Sequence, residues 1–371
     1  MKDTKQKCVV DTLEREILAG RYGQDQPLPS ERALIRRFGF SRITVQRALG
    51  ELARRGLVVR RQGSGTYATR FGSARKIGLL LSGMTYSEYF QPVATAFMKI
   101  ARETGYLLSF NAVRSPDPDE RIHEAREIVA DFIRERVAGV IYHPLDYAYD
   151  GGTANRRILS ALRKAKIPVV LFDSDIEVLP ARSDYDVVSI DNVAAGERVA
   201  RHLIDAGAKN VCFLLKPNWM PNAQNRIRGV MCAVAAAGLR WTSSNVLIAA
   251  ADDLTAIRRQ LRRRPCPDAF VCENDNIAAE FLQSLKKLGV AVPQKVLLAG
   301  FDDVNIARLL SPPLTSIHQP CEQLASAAFR RLVARIVRPS LPPQEIFIHA
   351  PLSTRASTFI QTTDTERKKT R

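Results

Sequence analysis

LPSERALIRRFGFSRITVQRALGELARRG, Leu28 to Gly56, is the stretch on which the fold of the amino-terminal part turns. Ser30, preceded by Pro29, is placed to accept a hydrogen bond from an amide of a first helical turn, so a helix is predicted to start there. Leu34, Ile35 and Phe38 recur at helical spacing on its inner face, and Gly39 breaks it. Ser41 opens a second helix in which Val45, Ala48, Leu49 and Leu52 face inward, and Gly56 ends it. Helix, tight glycine turn and helix together make a helix-turn-helix.

On the carboxyl side lies RRQGSGTY, Arg60 to Tyr67. A nucleotide-binding loop would follow a strand, open a helix and, in one common form, end in Gly-Lys-Ser/Thr. Here Leu57-Val58-Val59 comes before the glycines, and β-branched and aromatic Thr66-Tyr67-Ala68-Thr69 follows. That pattern predicts a β-hairpin with Arg60, Arg61 and Gln62 at an outward-facing tip. On the amino side, residues 7–20 carry Val9, Val10, Leu13, Ile17 and Leu18 at helical spacing and close on Gly20, predicting one more helix.

Charge points the same way. The chain of 371 residues carries a formal net charge of +17. Residues 1–75 hold 16 Lys and Arg against 7 Asp and Glu, about half the excess in a fifth of the chain. A concentrated basic module suits a polyanion, most commonly nucleic acid. The second helix of such a pair enters the major groove by its amino end, so Ser41, Arg42, Thr44, Gln46 and Arg47 would meet DNA. Arg42 or Arg47 has the paired donors that match guanine, while Ser41 and the helix terminus suit a phosphate. Glycines at the wing tip let backbone approach the minor groove. The plain alternative is that both arginines are merely exposed helix residues.

Residues 7–69 resemble the GntR-type winged helix, whose motif runs LPSER.L...FG.SR.TV..AL..L...G and then RRQGSGTYA. That resemblance implies DNA contacts at Arg32, Ser41, Arg42, Thr44, Gln62, Gly63 and Gly65. Many members carry Arg where this chain has Gln46, and Gln pairs with adenine where Arg favours guanine, so a different operator is expected.

The texture changes after a short polar linker. Apolar strands recur at 77–82, 139–144, 168–173, 187–191, 210–215, 268–274 and 296–303, with amphipathic segments such as 119–136, 155–166, 193–206 and 276–288 between them. Alternating strands and helices imply parallel sheets covered on both faces, and the number of units implies two lobes. Ligands bind at the carboxyl ends of such strands. Asp173, Asp191-Asn192, Asn274-Asp275 and Asp302-Asp303 stand at those ends. Each has the alternative role of capping the next helix. Tyr86, Tyr89 and Phe90 follow the first strand, and Trp219 precedes Arg226; their loop positions make Tyr86 and Trp219 the candidates to stack on a ligand.

Residues 77–359 resemble the LacI/GalR effector domain, itself similar to periplasmic sugar-binding proteins. The resemblance rests on IGLLL, IPVVLFD, VSIDNVAAGERVARHLIDAG, NRIRGVMCAVAAAG, PDAFVCENDNIAAE, GVAVPQKVLLAGFDD and SPPLTSIHQP. It places Asp173, Arg226, Asn274 and Asp302 on effector-contacting positions, with Arg226 three residues before Gly229. The expected fold class is therefore α/β, a winged helix-turn-helix followed by a two-lobed domain of the type I periplasmic-binding-protein kind. Its expected divisions are 1–70 for the winged helix, 71–76 for a linker, 77–359 for the effector-binding and dimerisation domain, and 360–371 for a basic tail.

Other classes fit less well. Neighbouring Asp302 and Asp303 would point to opposite faces of an extended chain, which suits a glycosidase pair poorly. No G-x-S-x-G, H-E-x-x-H or Walker motif occurs, so no enzyme and no cofactor are expected. The six cysteines are scattered without metal-ligand spacing and are expected to be buried, reduced thiols with no metal. With no apolar run of membrane length and no signal-peptide core, a cytoplasmic protein is expected. The whole predicts a ligand-responsive regulator, a homodimeric repressor of carbohydrate-related genes that a small sugar releases from operator DNA. A nucleoside- or purine-responsive regulator and a sugar-activated DNA binder are the alternatives.

Overall fold

The computed structural model describes residues 2–18, 21–22, 26–54, 57–61, 63–68, 76–83, 88–115, 117–146 and 152–359. Gln62 and Tyr86 lie outside the described residues, as do Gly20, Gly56 and the tail 360–371.

Three helices and a hairpin come first: α1 (Lys2–Leu18), α2 (Glu31–Phe38), α3 (Arg42–Arg54), β1 (Val58–Arg61) and β2 (Gly65–Ala68). Helix α1 begins earlier than the apolar spacing indicated, because nothing in its polar first turn interrupts a helix. Val9, Val10, Leu13, Ile17, Leu34, Val45, Ala48, Leu49 and Leu52 close one small core. Ser30 Oγ accepts the Ala33 N–H at 3.2 Å, and Gly39 ends α2 at φ 66°, a left-handed turn open to glycine at no steric cost. Glu16 ties the pieces together. Its carboxylate takes both Arg37 and Arg21 and the Tyr22 hydroxyl, the last at 2.6 Å. Those bonds, led by Arg37, hold the carboxyl down at about 2.

The hairpin register pairs Val58 with Ala68 and Arg61 with Gly65. Arg60 and Arg61 are therefore strand residues and not the tip. Arg61 lies over the Tyr67 ring at 4.6 Å.

The rest of the chain alternates through β3 (Lys76–Ser82), α4 (Phe90–Thr104), β4 (Leu107–Val113), α5 (Pro118–Arg134), β5 (Gly139–Tyr142), α6 (Thr153–Lys164), β6 (Val169–Phe172) and β7 (Asp186–Ile190). It continues through α7 (Asn192–Asp205), β8 (Val211–Leu215), α8 (Pro221–Ala236), β9 (Val246–Ile248), α9 (Leu254–Leu261), β10 (Ala269–Cys272), α10 (Asp275–Lys287) and β11 (Leu297–Asp302). Last come α11 (Asn305–Leu309), β12 (Thr315–His318), α12 (Cys321–Val337), β13 (Glu345–Ile348) and β14 (Leu352–Ser353).

Two six-stranded sheets result, ordered β13-β7-β6-β5-β3-β4 and β14-β12-β11-β10-β8-β9. Every strand pair within them is parallel except β12 with β14. Every residue of β5, β6, β7, β8 and β10 is buried, as strands covered by helices on both faces require.

The chain crosses between the lobes three times: after β7 at Asp191, after β12 at Gln319, and between β13 and β14. Helix α12 returns to the first lobe, where Arg331 and Arg335 both grip the fully buried Asp186 carboxylate. Helices α7 and α8 cross at Gly196 and Gly229. A Cβ on Gly196 would sit 2.1 Å from the Arg226 carbonyl, and one on Gly229 2.0 Å from that of Val193. Only glycine permits this backbone contact, and it sets Arg226 against the lobe junction. Among the cysteines only Cys212 and Cys272 are buried; Cys8 and Cys232 are exposed and Cys266 and Cys321 lie between, correcting the expectation of six interior thiols.

Candidate functional site

Two clusters of polar residues stand out. At the amino end of α3, Ser41, Arg42 and Arg47 are exposed and Thr44 is half-buried. Ser41 Oγ lies 3.0 Å from Thr44 Oγ1 and also accepts the Thr44 N–H, capping the helix. Arg32 is exposed on α2, and Gly63 and Gly65 hold φ of 75° and 123° at the hairpin turn. Glu31 was not foreseen. It accepts Gln46 Nε2 at 3.0 Å and faces Arg42 at 3.8 Å and Arg60 at 3.6 Å, so one carboxylate gathers residues of α3 and the wing. Ile43, 63% exposed, was also missed, although helical spacing already puts it off the face of Val45, Ala48 and Leu49.

The second cluster lines a cavity of about 260 Å³ between the lobes, at the carboxyl ends of the strands. Asp173, Arg226, Asn274 and Asp302 all line it, together with Ser82, Phe90, His143, Lys216, Asn222 and Glu273. Asp173 and Asp302 hold φ of 68° and 101°. Strained backbone of this sort persists where the surroundings enforce it, commonly at binding sites.

Asp173 is braced from several elements. Asn222 Nδ2 donates to it at 2.9 Å, the Tyr89 hydroxyl at 3.2 Å and Gln319 Nε2 at 3.5 Å, and His143 Nε2 lies 3.6 Å away. Burial works to raise its pKa, but His143 and Arg226 outweigh burial and hold it below the ordinary range. Gln319 also donates to Asp302 at 3.1 Å, linking carboxylates of both lobes. Burial pushes the Asp302 carboxyl up. It pushes Glu273 up to about 7, although the Lys216 ammonium stands 3.7 Å away. Arg226 donates through Nε to Asn192 at 2.9 Å and through another nitrogen to the Glu273 carbonyl, with its plane over Phe301. Asn274 caps α10 through the Ile277 N–H at 2.9 Å, so the capping and cleft roles coexist in one residue. At the other strand ends Asp191 caps α7, and Asp303 turns from the cleft to Arg355, His318 and Ser353.

Trp219 does not line the cavity; it is half-buried against the core, and its neighbour Met220 faces the space instead. Residues missed from sequence were His143, Lys216, Asn222, Glu273 and Gln319. Four of them stand at a strand end or within a turn of a named residue; Gln319 had only its place in the HQP hinge. Ser82, His143 and Asp173 contain the members of a nucleophilic triad. Ser82 Oγ lies 2.5 Å from His143 Nδ1 and within reach of the Pro144 carbonyl at 2.8 Å, and the tautomer of the ring decides which way the first contact runs. All three side chains belong to the polar lining of the cleft. Among the described residues no group of three or more His, Cys, Asp or Glu is placed to hold a metal, and no helix is long and apolar enough to cross a membrane.

Residues 5–68 match the gntR family of bacterial regulatory proteins, and residues 200–358 match the periplasmic binding protein-like domain. The chain joins a gntR domain to a periplasmic-binding-protein-like domain. It is 28% identical over 347 residues to an arabinose metabolism transcriptional repressor of Geobacillus stearothermophilus, covering 90% of this chain and 92% of that protein. The HTH-type transcriptional repressor PurR of Klebsiella pneumoniae (strain 342) is 28% identical over 289 residues, covering 76% and 80%. Among solved structures the transcriptional regulator CelR in complex with cellobiose aligns with a TM-score of 0.64 at 23% identity, over 92% of this chain and 94% of that one. These relatives are transcription regulators rather than enzymes.

Proposed function

We propose that the protein is a cytoplasmic transcriptional repressor without catalytic activity, a homodimer that a small sugar releases from operator DNA. The observation that carries this reading is the convergence of Asp173, Arg226, Asn274 and Asp302 on one interlobe cavity, in a chain that also bears a gntR domain. A relative sharing this architecture is a repressor of arabinose metabolism.

On the DNA side, Arg42 and Arg47 would reach guanine edges and Gln46, once released by Glu31, an adenine. Ser41, Thr44, Arg32 and the α3 terminus would fix the phosphates, with Gly63, Gly65 and Gln62 at the minor groove. Ile43 would meet a thymine methyl. Within the cleft, carboxylates and amides would take ligand hydroxyls while Phe90 covers an apolar face. Tyr86 and Trp219 remain candidates to close over the ligand from their loops.

A ligand that prefers the closed lobes shifts DNA affinity by that preference alone, typically about 1–3 kcal/mol. Fluorescence anisotropy on the protein's own promoter, with aldopentoses, hexoses, disaccharides and nucleosides added in turn, tests this. One sugar is expected to weaken DNA binding, and Asp302→Ala to lose that response while keeping DNA affinity. A full response in Asp302→Ala would place the ligand elsewhere. The Tyr89–Phe90 pair would equally cover a nucleobase, and a response to nucleosides alone would select that second reading.

A further inference from the structure

We propose that the amino-terminal ends of β8, β9 and β10 form a second ligand site, for a small phosphorylated molecule, independent of the interlobe cleft. A cavity of about 240 Å³ opens there, lined by Asn210, Arg240, Thr242, Ser244, Arg263 and Arg264 among others. These residues precede the strands whose carboxyl ends, at Lys216 and Glu273, face the cleft. Parallel strands of four or five residues separate the two places by about 15 Å.

The charge here is unusual. Arg258, Arg259, Arg262, Arg263 and Arg264 fall within seven positions, and Arg240 stands across the cavity. All six are exposed, and among the described residues no carboxylate forms a salt bridge with any of them. Asp268, at the same strand ends, is already engaged, accepting the Lys209 and Asn210 amides at 2.8 and 2.9 Å. Six guanidinium groups without a counterion repel one another, and an anion relieves that cost.

The floor of the cavity is held in place. Gln260 Nε2 donates to the Ser244 carbonyl at 2.9 Å, and Asn245 Nδ2 to Asn210 Oδ1 at 3.0 Å and the Val211 carbonyl at 2.9 Å. Arg263 is anchored on one side by the Ser244 carbonyl at 2.8 Å, and Arg264 by the Arg263 carbonyl at 3.0 Å. Each anchored fork keeps further N–H donors, and the Thr242 and Ser244 hydroxyls stand beside them. Planar forks with neighbouring hydroxyls match a tetrahedral oxyanion bidentately. The concave, polar shape fits a phosphate group on a small molecule rather than a duplex.

Isothermal titration of the full chain with inorganic phosphate, pyrophosphate and glucose 6-phosphate, with glucose as the uncharged control, tests the site. The phosphate-bearing probes are expected to bind, less tightly as salt rises. Affinity should fall at least tenfold in Arg240→Gln/Arg263→Gln and stay unchanged in Asp302→Ala. Equal affinity for phosphate and glucose 6-phosphate would assign the site to the free ion; a preference for the latter would assign it to a phosphorylated metabolite. No binding by any phosphate probe, or undiminished binding in the double variant, overturns the proposal. So does loss in Asp302→Ala, which would put the anion in the cleft, and so does a loss of operator affinity in the arginine variant without any effect on the phosphate probes.

Discussion

Glu16 in the winged helix and Glu273 in the cleft are the same side chain under opposite rules. Two arginines and a tyrosine surround Glu16 and hold it ionised to about pH 2. Glu273 is buried deeply enough to be pushed up to about 7, against the pull of a nearby lysine. The first carboxylate acts as a brace for a module whose candidate DNA-contacting residues include exposed cations. The second sits among candidate site residues that are themselves buried, where a proton and the Lys216 ammonium share one carboxylate. On the function proposed above, scaffold and contact surface are separable in the winged helix, whereas in the cleft they are the same atoms.

The largest test of that contrast is Asp173→Ala. It would strand Asn222, Tyr89, Gln319 and His143 without their shared acceptor, so a loss of about 3–5 kcal/mol is expected in denaturant unfolding. A variant as stable as the parent would mean the cleft residues are not structural. Next, Glu16→Gln should cost about 2.5 kcal/mol at neutral pH, because charge-assisted bonds to Arg37 and Arg21 are lost. The folded pKa of Glu16 is lowered, so its contribution is present above the unfolded value near 4.5 and disappears as pH falls toward about 2. Thermal melts between pH 5 and 2 should show this slope in the parent and a flatter one in the variant.

Glu273 carries the opposite sign. Its folded pKa is raised, so its relative stabilisation is present below about 4.5 and is lost as pH rises through about 7. Glu273→Gln should remove an alkaline-side decline on the order of 2 kcal/mol, seen in melts from pH 5 to 8. Identical profiles would mean that Lys216 compensates the charge fully. Arg42→Ala, by contrast, should leave the melting temperature alone and cost about 1.5 kcal/mol of operator affinity by anisotropy. The smallest effect expected is for Gln46→Arg, a change of preference worth about 1 kcal/mol at one base pair, toward guanine. A binding-site selection that returned the same consensus would remove Gln46 from the reading surface.

The same contrast explains what was legible. A helix-turn-helix is local: Ser30, Gly39 and Ser41 lie within a dozen positions, and each signals its own boundary. The hairpin register was less readable, since pairing Arg61 with Gly65 depends on the turn and draws both arginines into the strand. In the cleft the strand-end positions of Asp173, Asn274 and Asp302 follow from the βα rhythm. Their partners do not, because Asn222 meets Asp173 across 49 positions and Gln319 across 146. Strand β12 was missed because Thr-Ser-Ile-His, although buried, holds a single aliphatic residue, and β4, β9, β13 and β14 were missed for a related reason. They are edges or short pieces with mixed exposure, such as Glu345–Ile348, and lack the continuous apolar run of their buried neighbours.

The interwoven crossings also set an order of manufacture. The first lobe has made β3 to β7 by residue 190, yet its face lacks α12 until residue 337, and its sheet lacks β13 until residue 348, has been synthesised. At about 5–20 residues per second that interval lasts roughly 8–30 s. For most of it Asp186 has neither Arg331 nor Arg335, and throughout it the edge beside β7 is open to any passing strand. The second lobe meanwhile receives β8 to β12 in one unbroken run. The part of the domain that leaves the ribosome first is the one finished late, and it is there that a holding chaperone would have most to protect.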